Sequence, residues 1–356
     1  MKKKQWVLGL IVLLALAAIL VWGRDRMHFD FAVFAAQLAQ ANWSKIALGL
    51  ACIYLGYVFR GVRWALLLRH HKKLPAFSLV GTQVIGFTAV ALIGRVADLV
   101  RPYLVAKKTG LPLTSQIAVY VVERLFDAGS TALIFSLAIL LAAPGAMPHP
   151  ELVRKSGEWA LLLTVLGALF LVAVRLAGGW VAAILGRLFG MISKNLGHAV
   201  EHKIQTFRAG LDTIRSLGDF AITSALSVGM WLLIALAYLE TMQAFVASPE
   251  LAAITPAKCV LLMVVSGVSS IFQLPVIMWF TQTAVVAAAI SNFYGASPEA
   301  STACGATLLL VTFLGIIPVG LVWAQFEKIS FRKLASESEH AGEGLDLEQD
   351  AVEATE

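Results

Sequence analysis

Charge is scarce in this sequence: Asp, Glu, Lys and Arg together make up 14% of 356 residues, while 59% are hydrophobic. An ordinary soluble domain is about 25% charged and roughly 45 to 50% apolar, so too few polar side chains remain to cover a water-soluble surface of this size. Cysteine is nearly absent. Cys52, Cys259 and Cys304 each sit inside an apolar run, and three without metal-ligand spacing suggest neither a disulfide framework nor a zinc site. Also missing are a phosphate loop of the G-x-x-x-x-G-K-[ST] type, an H-E-x-x-H pair and a G-x-S-x-G elbow. These absences argue against a nucleotide-driven pump and leave no recognisable catalytic motif. No cofactor, no metal and no nucleic-acid partner are expected; the expected partners are membrane lipids.

What the chain has instead is apolar runs of bilayer length, about 17 to 25 residues. They recur at Trp6 to Trp22, Ile46 to Leu68, Ile117 to Ala143, Trp159 to Val174, Phe220 to Val246, Cys259 to Ile290 and Ala303 to Trp323. The first follows a basic start, Met1 to Lys4, and meets Arg24 and Arg26 without a small-residue cleavage site, so it is expected to be an uncleaved membrane helix. The expected fold is an all-α polytopic transmembrane bundle, with about six full spans plus two re-entrant or broken hairpins, eight or so apolar segments in all. Residues 1–335 form the membrane domain, and 336–356 a disordered cytoplasmic tail. That tail holds 8 acids and no Lys or Arg, which leaves the rest of the chain at a net +14.

Charge also sets the orientation. With the N-terminus in the cytoplasm and Phe77 to Lys108 entering and leaving on one side, 19 of the 28 Lys and Arg fall inside and 6 outside. Such a bias is what the positive-inside rule expects of the cytoplasmic face, placing both termini there in a multi-pass protein of the cytoplasmic (inner) membrane. A full crossing at Phe77 to Gly94 would instead send Arg95, Arg101, Lys107 and Lys108 outward and invert every later loop. Phe77 to Lys108 is therefore read as re-entrant, which polar backbone at that depth allows only where protein or a watery cavity surrounds it. Cys259 to Ile290, broken by Gly267 and Pro275, reads as a second hairpin dipping in from outside, and the two interrupted segments together suggest an internal pseudo-repeat. Val200, Ile204, Phe207, Leu211 and Ile214 against Lys203, Arg208, Asp212 and Arg215 describe an amphipathic helix on the cytoplasmic leaflet; Phe31, Phe34 and Leu38 describe a shorter one outside.

Charges inside apolar runs cost about 2.5 to 3.5 kcal/mol each at the centre on insertion scales, so each needs a partner or a purpose. The densest group is Gly94 to Tyr103, with Arg95, Asp98 and Arg101, followed by Glu123, Arg124 and Asp127. Glu123 and Asp127, four apart, share a helical face and can pair with Arg95 and Arg101 across a short loop. Arginines left partly free there present forked donors suited to a phosphate; the plainer reading is that the charges only lock the hairpin to the next helix. Arg60 and Arg63, beside Trp64, read first as snorkelling anchors at the membrane edge and second as ligands. Glu240 is a lone acid near a span end, explained by a proton or cation relay, by a partner such as Tyr238, or by interfacial depth. His198 and His202 share a face but lack a third metal ligand, and read as surface cations.

Ala97-Asp98-Leu99-Val100-Arg101 and Glu123-Arg124-Leu125-Phe126-Asp127 resemble the Gly-Glu-x-x-Arg core and the Glu-Arg-x-x-Asp group of the lysylphosphatidylglycerol synthase transmembrane region family, the flippase-like membrane proteins. Arg63-Trp64 is similar to that family's Arg-Trp helix end, and Ala303 to Trp323 to its closing span with a late Pro. The resemblance covers most of Met1 to Phe331. Two departures stand out: Asp98 where Glu is usual, which keeps charge but shortens reach, and Val276 to Phe280 where relatives are Gly-rich. Nothing corresponds to the aminoacyl-transfer domain of the fused relatives. The resemblance thus implies a membrane part that handles anionic, aminoacylated or polyprenyl-linked lipids.

Two functions follow from it. In the first, the chain translocates such a lipid, its headgroup meeting Arg63, Arg95 and Arg101 while Asp98, Glu123, Arg124 and Asp127 hold the cations in place. In the second it is a membrane-embedded transferase acting on a lipid-linked donor, with Asp25 and Asp30 as the only early acidic candidates, neither in a motif. A non-catalytic role beside a separate lipid-modifying enzyme, or within a homo-oligomer, is a third arrangement open to the sequence.

Overall fold

The structure is a computed structural model that describes residues 29–143, 147–191, 193, 197–198, 200–201, 216–270 and 278–329. Among them the chain is wholly helical: α1 Phe31–Ala39, α2 Trp43–Leu68, α3 Val80–Ile93, a 3-10 turn Arg95–Leu99, α4 Val100–Thr109, α5 Leu113–Leu140, α6 Pro150–Gly190, α7 Leu217–Gln243, α8 Pro249–Ala252, α9 Pro256–Ser269, α10 Met278–Tyr294, α11 Pro298–Leu309 and α12 Ile316–Phe326. The expected membrane helix at Trp6 to Trp22, the expected amphipathic helix beyond Glu201 and the acidic tail lie outside the described residues.

Among the described residues, three stretches are long and apolar enough to cross a bilayer: α2 with 26 residues, α7 with 27, and Pro298–Phe326 with 29. At about 1.5 Å per residue each is roughly 39 to 44 Å long, beyond the ~30 Å hydrocarbon core. The last is α11 and α12 joined through a π-helical turn at Leu310–Leu314. Pro318, near the start of α12, has no N–H to continue the ladder, and such a turn absorbs that loss. α5 and α6 are also long enough, though more charged. α6 runs past the expected end at Val174 to Gly190, with its helical path interrupted at Ala177 (φ −132°, ψ 34°).

The chain forms two compact units. One comprises the chain up to Gly49 and Tyr238–Val311, the other Leu50–Ala237 and the chain from Thr312. In the first, α1 packs on α11, and α9, α10 and α11 pack in succession. α1 begins where Asp30 accepts from the Ala32 and Val33 amides at 2.7 and 3.3 Å, satisfying two of the donors a helix start leaves bare. Thr255 and Ser297, each followed by Pro, open α9 and α11 the same way. α9 and α10 form the expected second hairpin, but Gly267 lies inside α9 and does not break it; 271–277, including Pro275, lie outside the described residues. Of the readings open for Glu240, the structure supplies a partner, Lys45, whose Nζ lies 3.1 Å from its carboxylate, while the Tyr238 hydroxyl donates to Ser266 Oγ at 2.9 Å.

In the second unit, α3 is 14 residues long, about 21 Å, and too short to span. It stops at Gly94, whose φ of 97° few other residues adopt, and the 3-10 turn and α4 fold back onto it. The segment read in the sequence as re-entrant is thus a hairpin of two short helices. α4 ends on left-handed Gly110, with Lys107 and Lys108 beside its last carbonyls. α5 packs on α4 and α6, and α12 packs on α3. That last contact is close: a Cβ on Gly320 would lie 1.8 Å from Thr88 Oγ1, and one on Gly81 2.2 Å from Trp323 Nε1. Only glycine permits either approach.

Candidate functional site

The polar centre of the second unit is assembled by helix periodicity. Arg60 and Arg63, three apart on α2, face one way; Glu123 and Asp127, four apart on α5, face them. Arg60 Nη1 lies 3.2 Å from both Glu123 Oε1 and Asp127 Oδ2. Arg63 spans the pair, with Nη2 2.8 Å from Glu123 Oε1 and Nη1 2.7 Å from Asp127 Oδ1, and Nη1 also donates to Ser227 Oγ on α7 at 2.7 Å. From the returning limb of the hairpin, Arg101 Nη1 reaches Glu123 Oε1 at 3.2 Å and Gln83 Oε1 on α3 at 3.3 Å. Arg124 Nη2 closes the group, 3.0 Å from Glu123 Oε1 and 2.9 Å from Asp127 Oδ2.

Burial separates these arginines. The side chains of Arg101 and Arg63 are 0% and 1% exposed, Arg60 is 9% exposed, and Arg124, at 39%, looks outward. Arg60 and Arg63 are therefore members of a buried ion network and not the snorkelling anchors first expected. Helix α2 carries them into the unit's core, where the carboxylates of α5 compensate the desolvation cost that would otherwise turn them to the interface.

Arg101 is held by rings as well as by ions. Its guanidinium carbon sits 4.4 Å from the Phe87 ring centre, 5.0 Å from Tyr120 and 5.8 Å from Trp64. Trp64 is in turn fixed by donating to Gln116 Oε1 at 3.2 Å. The Arg101 stem passes where Gly86 has no side chain; a Cβ there would come within 2.3 Å of Arg101 Cγ. A cation stacked on aromatic faces in a dry setting keeps its charge and its plane.

Two imbalances remain. Four guanidinium groups share two carboxylates, a formal surplus of two positive charges in the ion-paired cluster. On the side chains of the ion cluster and of the glutamines that bond to Arg101 and Trp64, the buried atoms without a hydrogen-bond partner are Nε and Nη2 of Arg101, Nε of Arg63 and of Arg124, and the amide nitrogens of Gln83 and Gln116. All six are donors. Buried polar groups are ordinarily paired, so the cluster has room in its bonding for acceptor oxygens.

Of the seven residues singled out in sequence, the structure joins Arg63, Arg101, Glu123, Arg124 and Asp127. Asp98 is on the 3-10 turn, half-buried, and makes no ion pair among the described residues; Arg95 is on the same turn, its side chain outside the described residues. Arg60 was singled out beside Arg63 but as an anchor or a ligand and not as a member of the ion network, and Gln83, Ser227, Phe87 and Tyr120 were missed. Arg60 shares a face with Arg63, and Gln83 and Ser227 are polar interruptions of apolar runs, so these three left a signal; Phe87 and Tyr120 left none. Of the transferase candidates, Asp30 serves as the cap of α1, and Asp25 lies outside the described residues. His198 belongs to no metal-binding group among the described residues.

Long apolar helices together with a buried, ion-paired arginine cluster describe a polytopic helical membrane protein with a polar interior. Residues 6–327 match the family model of the lysylphosphatidylglycerol synthase TM region, and the chain belongs to that family. No curated protein and no solved structure matches it.

Proposed function

We propose that the chain binds the headgroup of an anionic lipid, aminoacylated and polyprenyl-linked lipids included, and carries it across the cytoplasmic membrane. The supporting observation is the surplus of guanidinium over carboxylate in the buried cluster. Charge buried without a counter-charge costs several kcal/mol per ion, and an arriving anion offsets that cost.

In this reading Arg101 meets the headgroup, together with Arg63 and Arg95. Glu123 and Asp127 keep Arg60, Arg63 and Arg124 aligned, and Asp98 supports them from the 3-10 turn. The family membership supports a lipid as the substrate, and the short hairpin α3–α4 supports a recess open to one leaflet, since a segment that does not span places its turn within the protein.

The test is transfer of a headgroup-labelled anionic phospholipid between the leaflets of proteoliposomes. Wild-type protein should accelerate it. Arg101→Ala should lower the rate by about tenfold or more, the scale of one lost charge-assisted hydrogen bond, while Arg154→Ala, on an exposed pair with Glu158, should leave it unchanged. A wild-type rate in Arg101→Ala would contradict the proposal.

A further inference from the structure

The unpaired atoms of Arg101 are not scattered around its guanidinium. Nη1 is committed to Glu123 and Gln83, whereas Nε and Nη2, the two nitrogens of one edge, are both buried and without an acceptor. One whole bidentate fork is therefore vacant, in the geometry that grips two oxygens of a phosphate. Gln83 adds a third donor. Its Oε1 accepts from Arg101, which fixes the amide so that Nε2 is the free end, and that nitrogen is also buried and without an acceptor. The three donors stand on α3 and α4, the two limbs of the hairpin.

Three donors, with a formal surplus of two charges once the partly exposed Arg124 is counted, describe a particular anion. A phosphodiester offers two terminal oxygens and one negative charge. A phosphomonoester above its second pKa offers three terminal oxygens and close to two charges. Arg95 and Asp98 on the adjoining turn carry opposite charges, so including both leaves the surplus unchanged.

We infer that the vacant fork of Arg101, with Gln83 Nε2, is a receptor for a terminal dianionic phosphate, and that the lipid handled here ends in a phosphomonoester in preference to a phosphodiester. This rests on the proposed lipid-headgroup function and narrows its substrate class. Arg101 supplies the paired donors, the ring box of Phe87, Tyr120 and Trp64 fixes their plane, and Gln83 reads the third oxygen that esterification removes.

The experiment is thermal stabilisation of the full chain in neutral-lipid nanodiscs at pH 8, titrated with phosphatidic acid or with phosphatidylmethanol of the same acyl chains. The two lipids differ by one methyl ester. Phosphatidic acid should bind about tenfold tighter or more, on the scale of a lost charge-assisted contact. Arg101→Lys, which keeps the charge but loses the fork, should bring the two lipids within about threefold, as should Gln83→Met, which removes the third donor and the Nη1 acceptor but no charge, and guards against misfolding of the arginine variant. Equal affinity for both lipids, weakened alike by Arg101→Lys, would overturn the monoester assignment and leave the lipid-headgroup function standing. Affinity for both that ignores Arg101 and Gln83 would overturn the function itself. Inorganic phosphate stabilising the protein as strongly as phosphatidic acid, and losing that effect in Arg101→Lys, would assign the fork to free phosphate and overturn the lipid part of the inference.

Discussion

Glu123 Oε1 lies within ion-pair distance of four arginines, Arg60, Arg63, Arg101 and Arg124. Those arginines differ in what their loss leaves behind. Arg63→Ala removes the shortest contacts to two buried carboxylates, 2.8 Å to Glu123 and 2.7 Å to Asp127, and breaking a buried pair in this way costs about 3 kcal/mol or more. Arg124→Ala removes a partner that is 39% exposed, for about 1 kcal/mol or less. Unfolding of the two variants in detergent should place Arg63→Ala well below wild type and Arg124→Ala near it; the reverse order would contradict the burial assignment. Much of this cluster is legible in the sequence, because a carboxylate pair at four-residue spacing inside an apolar run demands cations. What was not legible is which cations answer. Arg60 and Arg63 look like interfacial anchors until α2 is seen to face α5, since tertiary proximity between residues some sixty positions apart leaves no local trace. The ring box is hidden for a related reason: Phe87 and Tyr120 in a membrane sequence read as ordinary apolar content.

At the scale of elements, glycine decides how closely α3 can approach its neighbours. Gly81 and Gly320 bring α3 and α12 together, and Gly86 makes way for Arg101 on another face of α3. Small residues at such contacts are the usual means of close helix packing within a bilayer. Gly320→Ala should lower stability by about 1 to 3 kcal/mol, because Thr88 belongs to a packed helix and must shift with it. Gly129→Ala on α5, where a Cβ meets nothing within 4 Å, should be neutral or slightly stabilising. Melting curves of the two variants side by side decide the matter; a destabilised Gly129→Ala with an unaffected Gly320→Ala would contradict the packing described. The hairpin itself was readable from charge balance, because a full crossing would have put Arg95 to Lys108 on the wrong side. The length of α6 was not: Arg175 ends the apolar run in the sequence, yet helix resumes beyond a kink at Ala177 and reaches Gly190.

At the scale of the molecule, membership of the family and the three membrane-length helices fix the chain in a bilayer. Its orientation is a proposal from the distribution of Lys and Arg, and it has a direct consequence. In whole cells, a membrane-impermeant thiol reagent should label Arg154→Cys from outside, but not Lys107→Cys or Arg187→Cys, and the native cysteines are buried, which keeps the background low. Labelling of Lys107→Cys from outside would contradict the re-entrant hairpin.

The central claim is that a lipid headgroup comes to rest against Arg101. A photoreactive phenylalanine analogue at position 87, whose ring lies 4.4 Å from the Arg101 guanidinium, samples that place directly in native membranes. After irradiation, mass spectrometry of the crosslinked peptide should find an anionic lipid attached through its headgroup, and Arg101→Ala should abolish the adduct. The same probe at Leu163, exposed on α6, should capture acyl chains without regard to headgroup. Adducts at position 87 that contain only neutral lipid, or that persist unchanged in Arg101→Ala, would contradict the account.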